Sequence, residues 1–336
     1  MIIAVDAMGG DFAPAEIVKG AAQGSKLYGV DVILVGDEAK IRPCLPPEFA
    51  KSSSVIIQHA AEAIGMDEHA AAVRTKKDAS VVVATSLVKE GKADAMVSLG
   101  NTAAAMAIAT LRLGRISGID RPALAAVIPS ASGATVLLDA GAVVDCTVEH
   151  LTQFAVMGNV YAERSLGINQ PRVGLLSVGE EKSKGGDLIK AAHEALAALP
   201  LNFIGNVEGN DIFSGAADVI VADGFVGNVA LKTAEGLAEL IQKLIKDDLR
   251  THPFAYVPLA LLKPFLSRLK KKLDYSEYGG APLLGLNGVC IIGHGKSKAR
   301  AVASAVRAAR EAANGGVVAA IQSAVAQAPV AVKKEA

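Results

Sequence analysis

Ile2-Ile3-Ala4-Val5-Asp6-Ala7-Met8-Gly9-Gly10-Asp11-Phe12-Ala13-Pro14 is the stretch on which the fold turns. Ile2 to Val5 read as a short apolar strand and Gly9-Gly10-Asp11 as a turn. Pro14 marks a helix start, because its fixed φ suits a first helical turn. A strand that passes through a glycine turn into a helix converges backbone N–H groups on an anion. The carboxylates of Asp6 and Asp11 do not suit an anion themselves, so they are expected to orient neighbouring amides or cations.

The same rhythm runs through the chain. Strands are expected at Ile2–Val5, Val32–Val35, Val55–Gln58, Ala95–Ser98, Thr135–Leu138, Val173–Ser177, Asn202–Ile204, Val219–Ala222 and Val289–Ile292. Helices are expected at Ala15–Tyr28, Ala79–Glu90, Thr102–Leu113, Val148–Leu166, Asp187–Leu199 and Val229–Leu249. Short apolar strands alternating with longer helices imply a buried, mostly parallel sheet between helical layers, an α/β class. No repeat or low-complexity linker divides the chain. Residues 1–326 therefore read as one α/β/α domain and 327–336 as a flexible tail.

Composition excludes several classes. Lys plus Arg and Asp plus Glu both number 34, aromatics are 4% and Trp is absent, so no nucleic-acid partner is expected. Apolar runs stop well short of the roughly 20 residues that span a bilayer, and no basic, apolar leader opens the chain. Cys44, Cys146 and Cys290 have no metal-like spacing, which points to a reducing cytoplasm, no disulfide framework and no metal.

Ligands in such sheets bind at the carboxyl ends of strands, and here those loops are rich in glycine and polar residues. They are Gly100-Asn101-Thr102 after Ser98, Asp139-Ala140-Gly141 after Leu138, and Gly179-Glu180-Glu181-Lys182-Ser183-Lys184-Gly185-Gly186-Asp187 after Ser177. Gly205-Asn206-Val207-Glu208-Gly209 and Asp223-Gly224-Phe225-Val226-Gly227-Asn228 follow later. Each alone is an ordinary turn; together they suggest one shared polar site. Lys184, beside two glycines, can neutralise an anion or be a solvated loop lysine. Asp223 can act as general base or cap the helix after it. Asn101 and Thr102 open a helix whose N-terminus suits an oxyanion, and Asn101 can equally be its cap. His294 follows a strand and can line the site, whereas His193 reads as a surface residue within a helix. Gly295-Lys296-Ser297 lacks the first glycine of a nucleotide loop, no Gly-x-Gly-x-x-Gly follows the first strand, and no nucleophile motif is present. No cofactor is called for.

Between Arg250 and Leu273 the charged residues are all basic. Leu262, Phe265, Leu266 and Leu269 repeat at helical spacing on one face. Prolines 253, 258 and 264 favour a protruding helical hairpin. Such a basic amphipathic segment can lie on an anionic bilayer, or pack into a core or dimer interface.

The wording of these loops resembles the PlsX family, the acyl-ACP:phosphate acyltransferases of bacterial phospholipid synthesis. Asp6-Ala7-Met8-Gly9-Gly10-Asp11, Ser98-Leu99-Gly100-Asn101-Thr102, Leu137-Leu138-Asp139-Ala140-Gly141 and the Gly174–Ser177 strand with Gly179-Glu180-Glu181 carry the likeness. So do Asn202–Gly209, Asp223–Asn228 and Tyr278-Gly279-Gly280-Ala281-Pro282-Leu283-Leu284-Gly285. The chain departs from the family at Ala103, Val178, Gly186 and Lys296. The resemblance implies a three-layer sandwich like phosphotransacetylases and isocitrate dehydrogenases, usually homodimeric. It implies acyl phosphate made from acyl-acyl carrier protein and inorganic phosphate, passed on to a membrane glycerol-3-phosphate acyltransferase, by a cytoplasmic enzyme peripheral to the membrane. Lys184 and Asp223 match catalytic positions. The phosphate and substrate set comprises Asp6, Gly9, Gly10, Asp11, Ser98, Asn101, Thr102, Glu180, Glu181, Asn206, Glu208, Asn228 and His294.

Overall fold

The structure is a computed structural model that describes residues 1–49, 52–251, 265 and 280–327. Its first half contains β1 (Ile2–Asp6), α1 (Ala15–Tyr28), β2 (Asp31–Gly36), α2 (Glu38–Ile41), β3 (Val55–His59), α3 (Ser80–Lys89), β4 (Ala95–Ser98) and α4 (Thr102–Leu113). Next come β5 (Ala123–Ser130), β6 (Gly133–Leu138), α5 (Val148–Leu166), β7 (Arg172–Leu176), α6 (Asp187–Ala197) and β8 (Asn202–Val207). The remainder is α7 (Asp211–Ser214), β9 (Val219–Val221), α8 (Gly224–Thr251), β10 (Ala281–Leu284), β11 (Val289–Ile292), α9 (Ala299–Asn314) and α10 (Val317–Gln327). Local chemistry sets several ends. α1 stops at Gly29, which takes the left-handed conformation that terminates helices, and Thr147 and His150 close a reciprocal capping box on α5.

All strands join one 11-stranded sheet in the order β3-β2-β1-β4-β11-β10-β5-β6-β9-β7-β8. Every strand expected from the sequence is present. The sequence reading passed over β5 and β10, and both contain proline. Proline removes a ladder donor and argues against a central strand. β10 reaches only Ala123 and Leu124 of β5, so Pro129 lies where β5 has no β10 neighbour.

These two strands have a large consequence. β10 is antiparallel to β11 and to β5, and β5 is antiparallel to β6, while the other pairs are parallel. The β6-β9-β7-β8 half therefore runs opposite to the β3-β2-β1-β4-β11 half. The strand-end loops therefore fall into two sets, one from each half of the sheet.

One face of the sheet carries a continuous apolar layer beneath α1, α9, α5 and α10. The other face has two separate clusters, one under α3 and α4 and one under α7 and the start of α8. β5 lies between them. Helix α8 begins at Gly224, five residues before the expected Val229, because its first turn carries glycines that weaken a periodicity signal. Among the described residues no helix is long and apolar enough to cross a membrane. Leu262, Leu266 and Leu269 lie outside the described residues, and Phe265 is exposed.

Candidate active site

The first loop set is built on Asp6. Its buried carboxylate accepts from Ser80 Oγ (2.6 Å) and Ser98 Oγ (2.8 Å), and burial pushes its pKa up despite those hydroxyls. Asp6 and Ser98 thus brace the loop rather than face a ligand. Gly9 sits against Gly100 and Asp6: a Cβ there would stand 2.5 Å from Asp6 Oδ2 and 2.9 Å from Gly100 N, so only glycine lets the loops after β1 and β4 touch. Gly10 adopts φ +112° beside the Leu99 carbonyl, and Asp11 N–H donates to Gly295 O (2.9 Å). Asn101 caps α4 by accepting from Ala104 N (3.0 Å), and its Nδ2 donates to Met66 O and Glu68 O. Its side chain is spent on structure. Thr102 is exposed.

The second set surrounds a different buried carboxylate. Asp139 is fully buried, and its oxygens accept from the N–H groups of Leu124, Gly141, Ala142 and Val143. Burial still drives its pKa upward. The start of α8 lies against this loop, where a Cβ on Gly227 would overlap the Asp139 carbonyl oxygen. Asp223 caps α8, its Oδ1 accepting from Phe225 N (3.0 Å) and Val226 N (2.9 Å). The loop after β7 is next to it, since β7 and β9 are neighbours. There the Glu181 carbonyl accepts from both Lys184 N (2.9 Å) and Asn206 Nδ2 (3.0 Å). Asn206 is buried and pairs with His193 Nδ1 (2.9 Å), so both residues position the lysine loop. His193 is buried, contrary to the surface role expected. Glu180, Glu181 and Lys184 are exposed, and Glu208 uses its backbone N–H on Asp211. Among the described residues no side-chain bond engages Lys184 Nζ or joins it to Asp223. The buried Ser177 hydroxyl, beside Gly185, also has no partner among them.

A cavity of about 560 Å³ is lined by β5, the start of α8 and loops from both halves of the sheet. Of the expected residues it is lined by Asp11, Thr102, Asn228 and His294; Lys184 and Asp223 lie outside its lining. It adds Lys232 and Glu235, which the sequence reading missed. Lys232 Nζ lies 2.6 Å from Glu235 Oε2 and 3.0 Å from His294 Nε2. Burial would raise the Glu235 pKa, but His294 and Lys232 outweigh it and hold it below the usual value. The signal was legible: Asn228 and Lys232 are four residues apart and share a helix face. Lys296, one of the departures noted above, lines the same cavity, and Val178, another, is exposed. Cys290 is inert in the core, its thiol pushed up to about 12 by burial.

The fold is shared with solved phosphotransacetylases. A Streptococcus pyogenes phosphotransacetylase superposes with a TM-score of 0.64 over 93% of this chain and 94% of its own, at 19% identity. A 4-hydroxythreonine-4-phosphate dehydrogenase from Klebsiella pneumoniae gives 0.55 over 93% and 99%, at 17% identity, so the likeness to both is one of fold. Within that architecture the chain belongs to the fatty acid synthesis protein family, the PlsX acyltransferases, whose model matches residues 1–320. A Pelotomaculum thermopropionicum protein named phosphate acyltransferase is 54% identical over 93% of this chain and 91% of its own length. A Heliobacterium modesticaldum protein of the same name is 53% identical over 96% and 97%.

Proposed function

We propose that this enzyme transfers a fatty acyl group from acyl carrier protein to inorganic phosphate. Membership of the family carries the reaction class, and the second loop set supports its placement. Lys184 Nζ and the Ser177 hydroxyl are uncommitted donors in the loop after β7, which neighbours the strand leading into α8, and a helix N-terminus favours an anion. Phosphate held there attacks the thioester carbonyl carbon. The new C–O bond forms, the C–S bond breaks, and the thiolate leaves with the proton phosphate gives up through Asp223. Lys184 and loop amides stabilise the oxyanion, a contribution of about 3 kcal/mol for one well-placed donor. Thiolate leaves readily, so no protein nucleophile is needed.

The rest of the family's biology extends this reading. Residues 1–326 act as one catalytic unit and 327–336 as a tail. The basic 250–273 segment, with Leu262, Phe265, Leu266 and Leu269, rests on the cytoplasmic face of the membrane. There a glycerol-3-phosphate acyltransferase takes up the acyl phosphate. Leu237, Leu240, Ile241, Leu244 and Ile245 form an exposed apolar stripe on α8, which suits a homodimer.

Thiol release from palmitoyl-acyl carrier protein, with and without phosphate, tests the reaction. Wild type is expected to release thiol only with phosphate, and Lys184→Ala to lose about a hundredfold in kcat. Near-normal turnover by the variant would move the site away from this loop. Release from short acyl-CoA alone would make the enzyme a phosphotransacetylase, and carrier binding without any release would make it a sensor.

A further inference from the structure

The cavity of about 560 Å³ is bordered by β5 and α8. β10 pairs with β5 only at Ala123 and Leu124, so the rest of that β5 edge is left open. Leu124, Ala126, Ile128 and Pro129 form one wall of the cavity, and Leu231 and Ala234 of α8 form the other. Polar residues also line it: Asn228 beside Gly141, and Lys232, Glu235 and His294 in one cluster. Phe213 of α7 lies beyond Pro129, its carbonyl accepting from Ala131 N (2.9 Å).

We propose that this trough between β5 and α8 is the acyl-chain site of the reaction above, with Ala234 and Phe213 setting the chain length it accepts. The proposal rests on that reading for the identity of the occupant. The carbonyl end lies at Asn228, less than two turns along α8 from Asp223, and the alkyl chain runs along β5 toward Phe213. The five residue steps of strand from Leu124 to Pro129 span about 17 Å. An extended alkyl chain advances about 1.3 Å per carbon, given carbon–carbon bonds of about 1.5 Å, so this length takes about 13 carbons. The volume falls within the range of about 300–1,000 Å³ that encloses a small ligand. The apolar lining from β5 and α8 matches an alkyl chain, and matches neither a free nucleotide nor a sugar.

Two variants and two readouts test the trough. Ala234→Phe fills it from a half-buried helix position, and Phe213→Ala removes an exposed side chain at its far end. The first readout is kcat/KM for palmitoyl- and octanoyl-acyl carrier protein. The second is fluorescence titration of the whole protein with cis-parinaric acid, a long-chain probe that needs no turnover. Ala234→Phe is expected to lower the palmitoyl-to-octanoyl ratio and the probe affinity each by about tenfold, and Phe213→Ala to raise the ratio about threefold. Unchanged ratios and unchanged probe binding in both variants would overturn the trough as chain site. If wild type released no thiol from any thioester, the transfer reaction would fall. Loss of probe binding in Ala234→Phe would still uphold the trough, and retained binding would overturn it as well.

Discussion

Asp139 meets only backbone N–H groups with its two oxygens, and that arrangement is hard to imitate. An amide in its place would aim its own N–H₂ at amide donors and leave at least one of them buried without an acceptor. Each such orphan costs about 1–3 kcal/mol. Asp139→Asn is therefore expected to lower stability by about 3 kcal/mol and Tm by about 4 °C in a chain of this size, read by calorimetry. A variant as stable as wild type would show that the loop re-pairs its amides. The sequence showed Asp6 and Asp139 in glycine-rich loops but not their task. A carboxylate reads the same whether it orients a substrate or pins a turn, and burial decides which. Asn101 and Asn206 follow the same rule, since Asn101 spends its side chain on an amide and neighbouring carbonyls and Asn206 on the His193 ring and the Glu181 carbonyl.

Helices and strands were legible where a single period dominated. α1, α4 and α5 fall at the boundaries their patterns predict, with their ends fixed by Gly29, Asn101 and Thr147. β5 and β10 were not legible, because alanine and proline there match neither a helix stripe nor a β-branched run. α8 is the element with the most apolar surface to explain. It is 28 residues long, buries only Gly224 and Gly227, and exposes Leu237, Leu240, Ile241, Leu244 and Ile245 at helical spacing. Changing Ile241 and Ile245 together to Glu is expected to convert a dimer to a monomer in sedimentation velocity, with far-UV circular dichroism unchanged. If the wild-type protein sediments as a monomer, or the variant still pairs, the stripe is not the dimer contact.

The candidate site could not be assembled from the sequence because its geometry belongs to the whole sheet. Loops that look alike along the chain come from halves that run opposite ways, and the cleft takes its lining from both. A pH experiment reaches the same scale. Arg172 holds Asp218 in a two-pronged pair (2.9 Å each) that ties β7 to β9. Burial would raise the Asp218 pKa, but the guanidinium and the Arg172 N–H outweigh it and hold the carboxyl below its ordinary value. A depressed folded pKa adds stability that is present above the unfolded value and lost as pH falls through the folded one. Asp218→Asn should cost about 1–2 kcal/mol at pH 7, and the gap to wild type should close below about pH 4, measured by urea midpoints. A gap that stays constant with pH would mean that the charge plays no part.

The strand order also dictates when the molecule can be finished. β4 ends at Ser98, yet the strand that covers its free side, β11, starts at Val289, and β10 must cover part of β5 from the same late segment. A nascent chain that has emerged only as far as α8 holds two half-sheets, each with a raw edge of unpaired peptide groups, and raw edges recruit strands from other molecules. During synthesis the enzyme's centre is the last part to exist, and the residues that fill it are a seal against aggregation before they are the floor of a cleft.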